Sequence, residues 1–114
     1  MKPPIIADYR GDVSIFETVE AAEGGIETYD VRDNECVIYD SEGRLLRGEI
    51  EGSHNWGRVV LKSAEDIPAH AGELKKALIG FLIHFGEIES ELQECSLADL
   101  VRKRLQIEKK GKKR

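Results

Sequence analysis

Long hydrophobic runs are missing from this chain. No stretch approaches the roughly 18 to 20 consecutive apolar residues that a membrane-spanning helix needs. The first residues, MKPPIIADYRG, hold no apolar stretch of the kind a secretory leader carries. Together these absences give a cytoplasmic reading with no membrane partner. Cysteine is scarce too: Cys36 and Cys95 stand far apart. A disulfide between them and two separate thiols both fit, and free buried thiols are the expectation for a cytosolic chain. There is no Walker loop, no G-x-G-x-x-G, no H-E-x-x-H and no C-x-x-C. The three histidines, His54, His70 and His84, are dispersed. Neither a metal nor a cofactor is therefore expected, and the chain reads as a non-enzyme.

Charge is abundant and unevenly placed. Of the 114 residues, 22 are Asp or Glu and 17 are Lys or Arg. Residues 102–114 hold eight of the cations and one glutamate. The first 101 residues keep 21 carboxylates against nine cations, so an acidic body carries a basic tail. An acidic body repels phosphate and attracts basic proteins, although acidic surfaces also serve solubility alone. The tail has no interleaved aromatic residues on which bases could stack, and no nucleic-acid partner is expected.

The length suits one domain with one core. Ile5–Ala7 reads as a short edge strand after Pro3-Pro4. Arg10-Gly11-Asp12 is a turn, and Val13, Ile15 and Phe16 form a short apolar strand or the entry to the first helix. Thr18 is an N-cap for a helix that Gly24-Gly25 weakens or ends. Residues 26–32 alternate enough to be a second strand, followed by a turn at Asp33-Asn34. Cys36–Tyr39 is β-branched and aromatic, hence another strand. Asp40-Ser41-Glu42-Gly43 suits a hairpin turn with Gly43 in the left-handed region. The returning strand, 44–51, sets Leu46, Gly48 and Ile50 opposite Arg47, Glu49 and Glu51, the pattern of a sheet with one face buried and one wet. Gly48 leaves room there for a helix or a bulge. Gly52–Gly57 is a loop and 58–62 a further strand.

The strongest helix covers residues 68–85, where Leu74, Ala77, Leu78, Phe81, Leu82 and Phe85 recur at helical spacing. Gly86 is its C-cap. A short helix carries Ile88, Leu92 and Cys95. Ser96 opens another, with Asp99 three residues on and Leu97, Leu100, Val101 and Leu105 as its apolar stripe. The predicted fold is α+β: an antiparallel sheet of three to five strands packed on one long and two or three short helices. Residues 1–107 form the domain and 108–114 a basic disordered tail.

The segments Val13–Glu23, Tyr29-Asp30-Val31 and Tyr39–Leu46 resemble the immunity proteins of bacterial toxin–immunity systems of the contact-dependent growth inhibition type. The matching motifs are a helix cap and a hairpin turn. The resemblance implies a protein that binds a cognate, basic, nuclease-type toxin domain and covers its active site. The acidic residues of sheet and hairpin are the partner-binding candidates: Asp30, Asp33, Glu35, Asp40, Glu42, Glu49 and Glu51. Trp56, in a glycine-flanked loop, is the apolar anchor, since tryptophan is enriched at interface hot spots. The alternative is a small ligand-binding or regulatory α+β domain acting as a homodimer.

Overall fold

A computed structural model describes residues 1–52 and 57–112. Five strands form one antiparallel sheet: β1 (Ile5–Tyr9), β2 (Asp12–Phe16), β3 (Val37–Tyr39), β4 (Leu45–Glu51) and β5 (Arg58–Ser63). Their spatial order is β2-β1-β3-β4-β5. The helices are α1 (Val19–Gly25), α2 (Thr28–Arg32), α3 (Ala71–Ile83), α4 (Glu89–Gln93) and α5 (Leu97–Lys112). The fold is α+β, as the sequence pattern predicts, with α5 and α3 the longest of the described helices. None of the described helices is long and apolar enough to cross a membrane.

The first strand is not an edge. β1 lies between β2 and β3 and pairs with both. Ile5, Ile6 and Ala7 are consecutive apolar residues without exposed surface. Since successive side chains leave a strand on opposite faces, such a run requires cover on both sides. That cover comes in two layers. Ile6, Val13, Ile15 and Tyr39 pack beneath α3, α4 and α5 with Leu74, Leu78, Leu82, Leu92 and Leu100. Ile5, Ala7, Ile38, Leu46, Val59 and Leu61 face α1 and α2 with Ala22 and Ile26. The sheet is thus not simply buried on one side and wet on the other. Among the described residues, the β4–β5 half of the α3-side face, with Arg47, Glu49, Glu51, Arg58 and Lys62, is the part left open.

Residues 26–32 form no strand. Ile26 closes α1 through its amide to Ala22 O at 2.9 Å, and α2 follows at once. Both flanks of β3 are taken by β1 and β4. The segment instead crosses the sheet as a helical turn, with Val31 seated on Gly48. A Cβ at residue 48 would lie 2.8 Å from Val31 Cγ2, so a side chain there would lift α2 from the sheet. Ahead of it, Thr18 caps α1 as its sequence position predicts, Oγ1 accepting from the Ala21 amide at 3.0 Å.

The hairpin turn before β4 is built around Asp40. Gly43 sits at φ +90°, and a Cβ there would strike the Ala71 backbone at the start of α3. His70 N donates to Gly43 O at 3.0 Å, so the turn and α3 dock through main chain. In α3 the buried side chains are Leu74, Leu78, Ile79 and Leu82. Phe85, expected in that stripe, is 56% exposed and stacks on Phe81 at 4.9 Å between centroids.

The basic tail starts later than its composition suggests. α5 continues through residues 108–112, most of the stretch expected to be disordered. Arg104 and Glu108 approach to 3.5 Å one turn apart, and Lys109 reaches Glu17 at 3.8 Å. Arg104 itself is buried, a residue type that pattern reading assigns to the surface. Its Nε donates to Val13 O at 3.0 Å and its guanidinium lies 4.5 Å from the Phe81 ring centre. These contacts pin α5 to β2 and α3.

Candidate functional site

The eight partner-binding candidates do not form one surface. Asp40 is the clearest correction: it has no exposed surface. Its Oδ1 accepts from the amides of Glu42 at 3.0 Å and Arg44 at 2.9 Å. Its Oδ2 accepts from the Lys2 amide at 3.0 Å and Arg44 Nη1 at 2.7 Å. Burial pushes this carboxyl up, but the amides and the guanidinium together outweigh it and hold the group below the ordinary aspartate value. Asp40 is a structural anion that organises the hairpin, and it cannot meet a partner. Glu42, two residues on, is exposed and lies 3.5 Å from Arg44.

Glu49 and Glu51 lie on the open part of the sheet face, but each is matched by an arginine. Arg47 Nη2 meets Glu49 at 2.9 Å and Arg58 Nη2 meets Glu51 at 3.3 Å. With Lys62 opposite Arg47 in the ladder, this face is mixed in charge rather than acidic. Trp56 and His54 lie outside the described residues.

Asp30, Asp33 and Glu35 are the candidates that come together, on α2 and the turn after it. They belong to a larger group that a strand assignment for 26–32 conceals. Between residues 17 and 35 the chain carries Glu17, Glu20, Glu23, Glu27, Asp30, Asp33 and Glu35 against one cation, Arg32. Glu20, Glu23, Glu27, Asp30 and Arg32 lie on α1, α2 or the link between them, Asp33 and Glu35 follow α2, and Glu17 precedes α1 and reaches Lys109 of α5; Glu20, Glu27 and Glu35 are exposed. Some of the group is already engaged. Glu23 Oε2 accepts from the Leu61 amide at 2.8 Å on the outer edge of β5, and Asp33 holds Arg32 at 3.0 Å. Tyr29 stands within the layer, 53% exposed. The signal in the sequence was the carboxylate density of this segment; the helical turn that gathers it was not legible.

Beneath this layer Tyr9, Asp30 and Cys36 meet. The Tyr9 hydroxyl donates to Asp30 Oδ2 at 3.3 Å. Burial, then the nearby Cys36 and Asp30, pushes the tyrosine hydroxyl up. Burial likewise pushes the Cys36 thiol up, with Asp30, Asp8 and Glu35 adding to it. A hydrogen bond with Tyr9 opposes this rise, and both side chains pack, half-buried, against the core beneath α1 and α2. Both cysteines are free and half-buried. Among the described residues no three His, Cys, Asp or Glu side chains gather as a metal site.

At the other end of the sheet, Glu65 and His70 form a latch. Glu65 Oε1 accepts from the Leu45 amide at 2.7 Å and the Ala69 amide at 3.2 Å, and His70 Nδ1 lies 2.9 Å from Oε2. The Glu65 hydrogen bond raises the imidazole above its ordinary value. In turn His70, then the Leu45 amide, lowers the Glu65 carboxyl.

Comparison with known protein families, with curated proteins and with solved structures finds no match to this chain. The reading of its function therefore rests on the molecule itself.

Proposed function

We propose that this chain is an immunity-type binding protein that engages a basic partner, a cognate toxin domain, through its acidic α1–α2 layer. The observation that carries the reading is the gathering of Glu20, Glu27, Asp30, Asp33 and Glu35 against one arginine on and beside α1 and α2, with Tyr29 exposed among them. Such a surface raises the encounter rate with a basic protein, up to about 10⁸–10⁹ M⁻¹s⁻¹ at low salt. Tyr29 supplies an aromatic contact of the kind enriched at hot spots. Binding over the toxin's active site neutralises it without chemistry by this chain.

The test is co-purification with the product of the adjacent upstream gene, compared with the variant Glu20→Lys/Glu27→Lys/Glu35→Lys. These side chains are exposed, so circular dichroism should report an intact fold. The expected result is a stable complex whose association rate falls by at least about tenfold at low salt in the variant. A neighbour that binds no better than an unrelated basic protein sinks the toxin reading. Binding that ignores the charge reversal sinks the acidic-layer assignment.

A second reading draws on a different feature. Pro3, Pro4, Leu97, Ala98, Val101 and Leu105, together with Lys2, Ser41, Glu42 and Arg102, line a groove of about 500 Å³. Its size lies within the range of small-molecule sites, which favours the alternative of a homodimeric ligand-binding or regulatory domain. That alternative predicts a dimer by sedimentation and no complex with any neighbouring gene product.

A further inference from the structure

Among the described residues, the sheet has a slot beside β4 that no strand fills. β3 pairs with β4 only at Ile38↔Leu46 and Tyr39↔Leu45. On its other side β4 stays paired with β5 as far as Glu51↔Arg58. From residue 47 onward β4 therefore has a described strand on one side only. The chain reaches β3 through the turn at Asn34, whose φ is +53°, and joins the sheet too late to cover the rest of β4.

The ladder fixes which groups face this slot. Ala64 N donates to Leu45 O at 2.9 Å, and Asp40 N donates to Arg44 O at 2.9 Å. In an antiparallel ladder these bonds alternate, so Leu45, Arg47, Glu49 and Glu51 direct their main chain to β5. Leu46 directs its own to Ile38. The next residues in that register, Gly48 and Ile50, direct theirs into the slot. A cleft of about 410 Å³ lies at the head of the slot, where Val31, Asn34, Cys36 and Gly48 line it; it runs back over the paired Ile38 and Leu46 and does not extend to Ile50.

We propose that this slot accepts an extended basic peptide segment of a partner protein, which lies antiparallel to β4 in line with β3. The backbone defines the occupant: spaced N–H and C=O groups along a strand edge are matched by the main chain of another strand. The surroundings set its charge. Residues 30–35, β4, Arg58 and Lys62 carry Asp30, Asp33, Glu35, Glu49 and Glu51 against Arg32, Arg47, Arg58 and Lys62. The three arginines are held by Asp33, Glu49 and Glu51, which leaves Glu35, and Asp30 beyond its bond from the Tyr9 hydroxyl, for an incoming cation. This inference rests on strand pairing and goes beyond the charge argument for α1–α2.

The experiment follows amide hydrogen exchange in the whole protein, alone and with a synthetic ten-residue peptide of alternating lysine and valine at millimolar concentration. In the free protein Gly48 and Ile50 should exchange much faster than Arg47 and Glu49. The lysine peptide should slow both by at least about tenfold, and an alternating glutamate–valine peptide should not. Ile50→Pro removes the slot-facing amide but keeps the β4–β5 ladder, so it should weaken peptide binding about tenfold or more with exchange across β5 unchanged. The proposal is overturned if Gly48 and Ile50 are already as protected as their neighbours in the free protein. It is equally overturned if the lysine peptide leaves them unchanged. Because the probe is synthetic, either failure leaves the toxin-binding test untouched.

Discussion

Replacing Asp40 by alanine should be among the costliest single changes in this protein. The side chain is fully buried and satisfies three backbone amides and the Arg44 guanidinium. Truncation strands four donors at once. Breaking a buried charge pair costs about 3 to 5 kcal/mol, and each buried donor left without a partner costs about 1 to 3 kcal/mol. The upper sum does not apply: Arg44 keeps 18% exposure and can turn to Glu42, 3.5 Å away. The amides of Lys2 and Glu42 belong to exposed residues that water reaches. A loss of about 3 kcal/mol is therefore expected, or roughly 12 °C in Tm for a domain of this size. Asp40→Asn keeps one acceptor oxygen but sets an amide donor against donors, and should lose about 2 kcal/mol. Glu42→Ala, in the same turn but exposed, should lose no more than about 0.5 kcal/mol. Urea unfolding followed by circular dichroism measures all three. The wild-type margin should also shrink as pH falls through the depressed Asp40 value, because a lowered carboxyl contributes stability only while ionised. Asp40→Asn should lack that component. A loss below about 1 kcal/mol for Asp40→Ala, or equal losses for Asp40→Ala and Glu42→Ala, would refute the assignment of a buried organising anion.

The Glu65–His70 latch should give its largest contribution between about pH 4.5 and 6.5, the ordinary glutamate and histidine values. The raised histidine loses its part as pH climbs through its folded value, and the lowered glutamate loses its part as pH falls through its own. The stability gap between wild type and His70→Gln should thus narrow from pH 6 to pH 9 in urea titrations, and a constant gap contradicts the latch. Gly43→Ala combines a left-handed φ with a clash on the Ala71 backbone. It should cost at least about 2 kcal/mol by the same assay. Arg104→Met removes a buried cation whose value burial lowers and whose Nη1 has only Glu108, 3.5 Å away, among the described residues. It should change stability by less than about 1.5 kcal/mol, whereas Arg104→Ala leaves a cavity beside Phe81 and should cost about 3. Thermal melts of the two variants separate packing from charge.

Local chemistry was readable without coordinates wherever a single residue type settles the geometry. The Thr18 cap, the Gly43 hairpin, the Leu74–Leu82 stripe and the small residue at 48 all follow from rules that act within a few residues. The order of β1 in the sheet did not. Ile5-Ile6-Ala7 reads as an edge strand after Pro3-Pro4, yet it lies between β2 and β3, a long-range pairing that no local pattern encodes. Residues 26–32 alternate like a strand and fold as a helical turn, because the neighbouring ladder positions are already occupied and Gly48 offers Val31 a seat. That one difference also decides the candidate site, since the turn brings Glu27, Asp30, Asp33 and Glu35 beside α1.

By itself the sequence determined the α+β class, the capped and turned segments, and the presence of an acidic body with a basic end. Only the tertiary structure decided which carboxylates are surface and which are scaffold. Asp40 and Glu42 are two residues apart and chemically alike, yet one is sealed against four donors and the other is solvated. Composition counts charge, whereas burial and hydrogen-bond partners decide what that charge can meet.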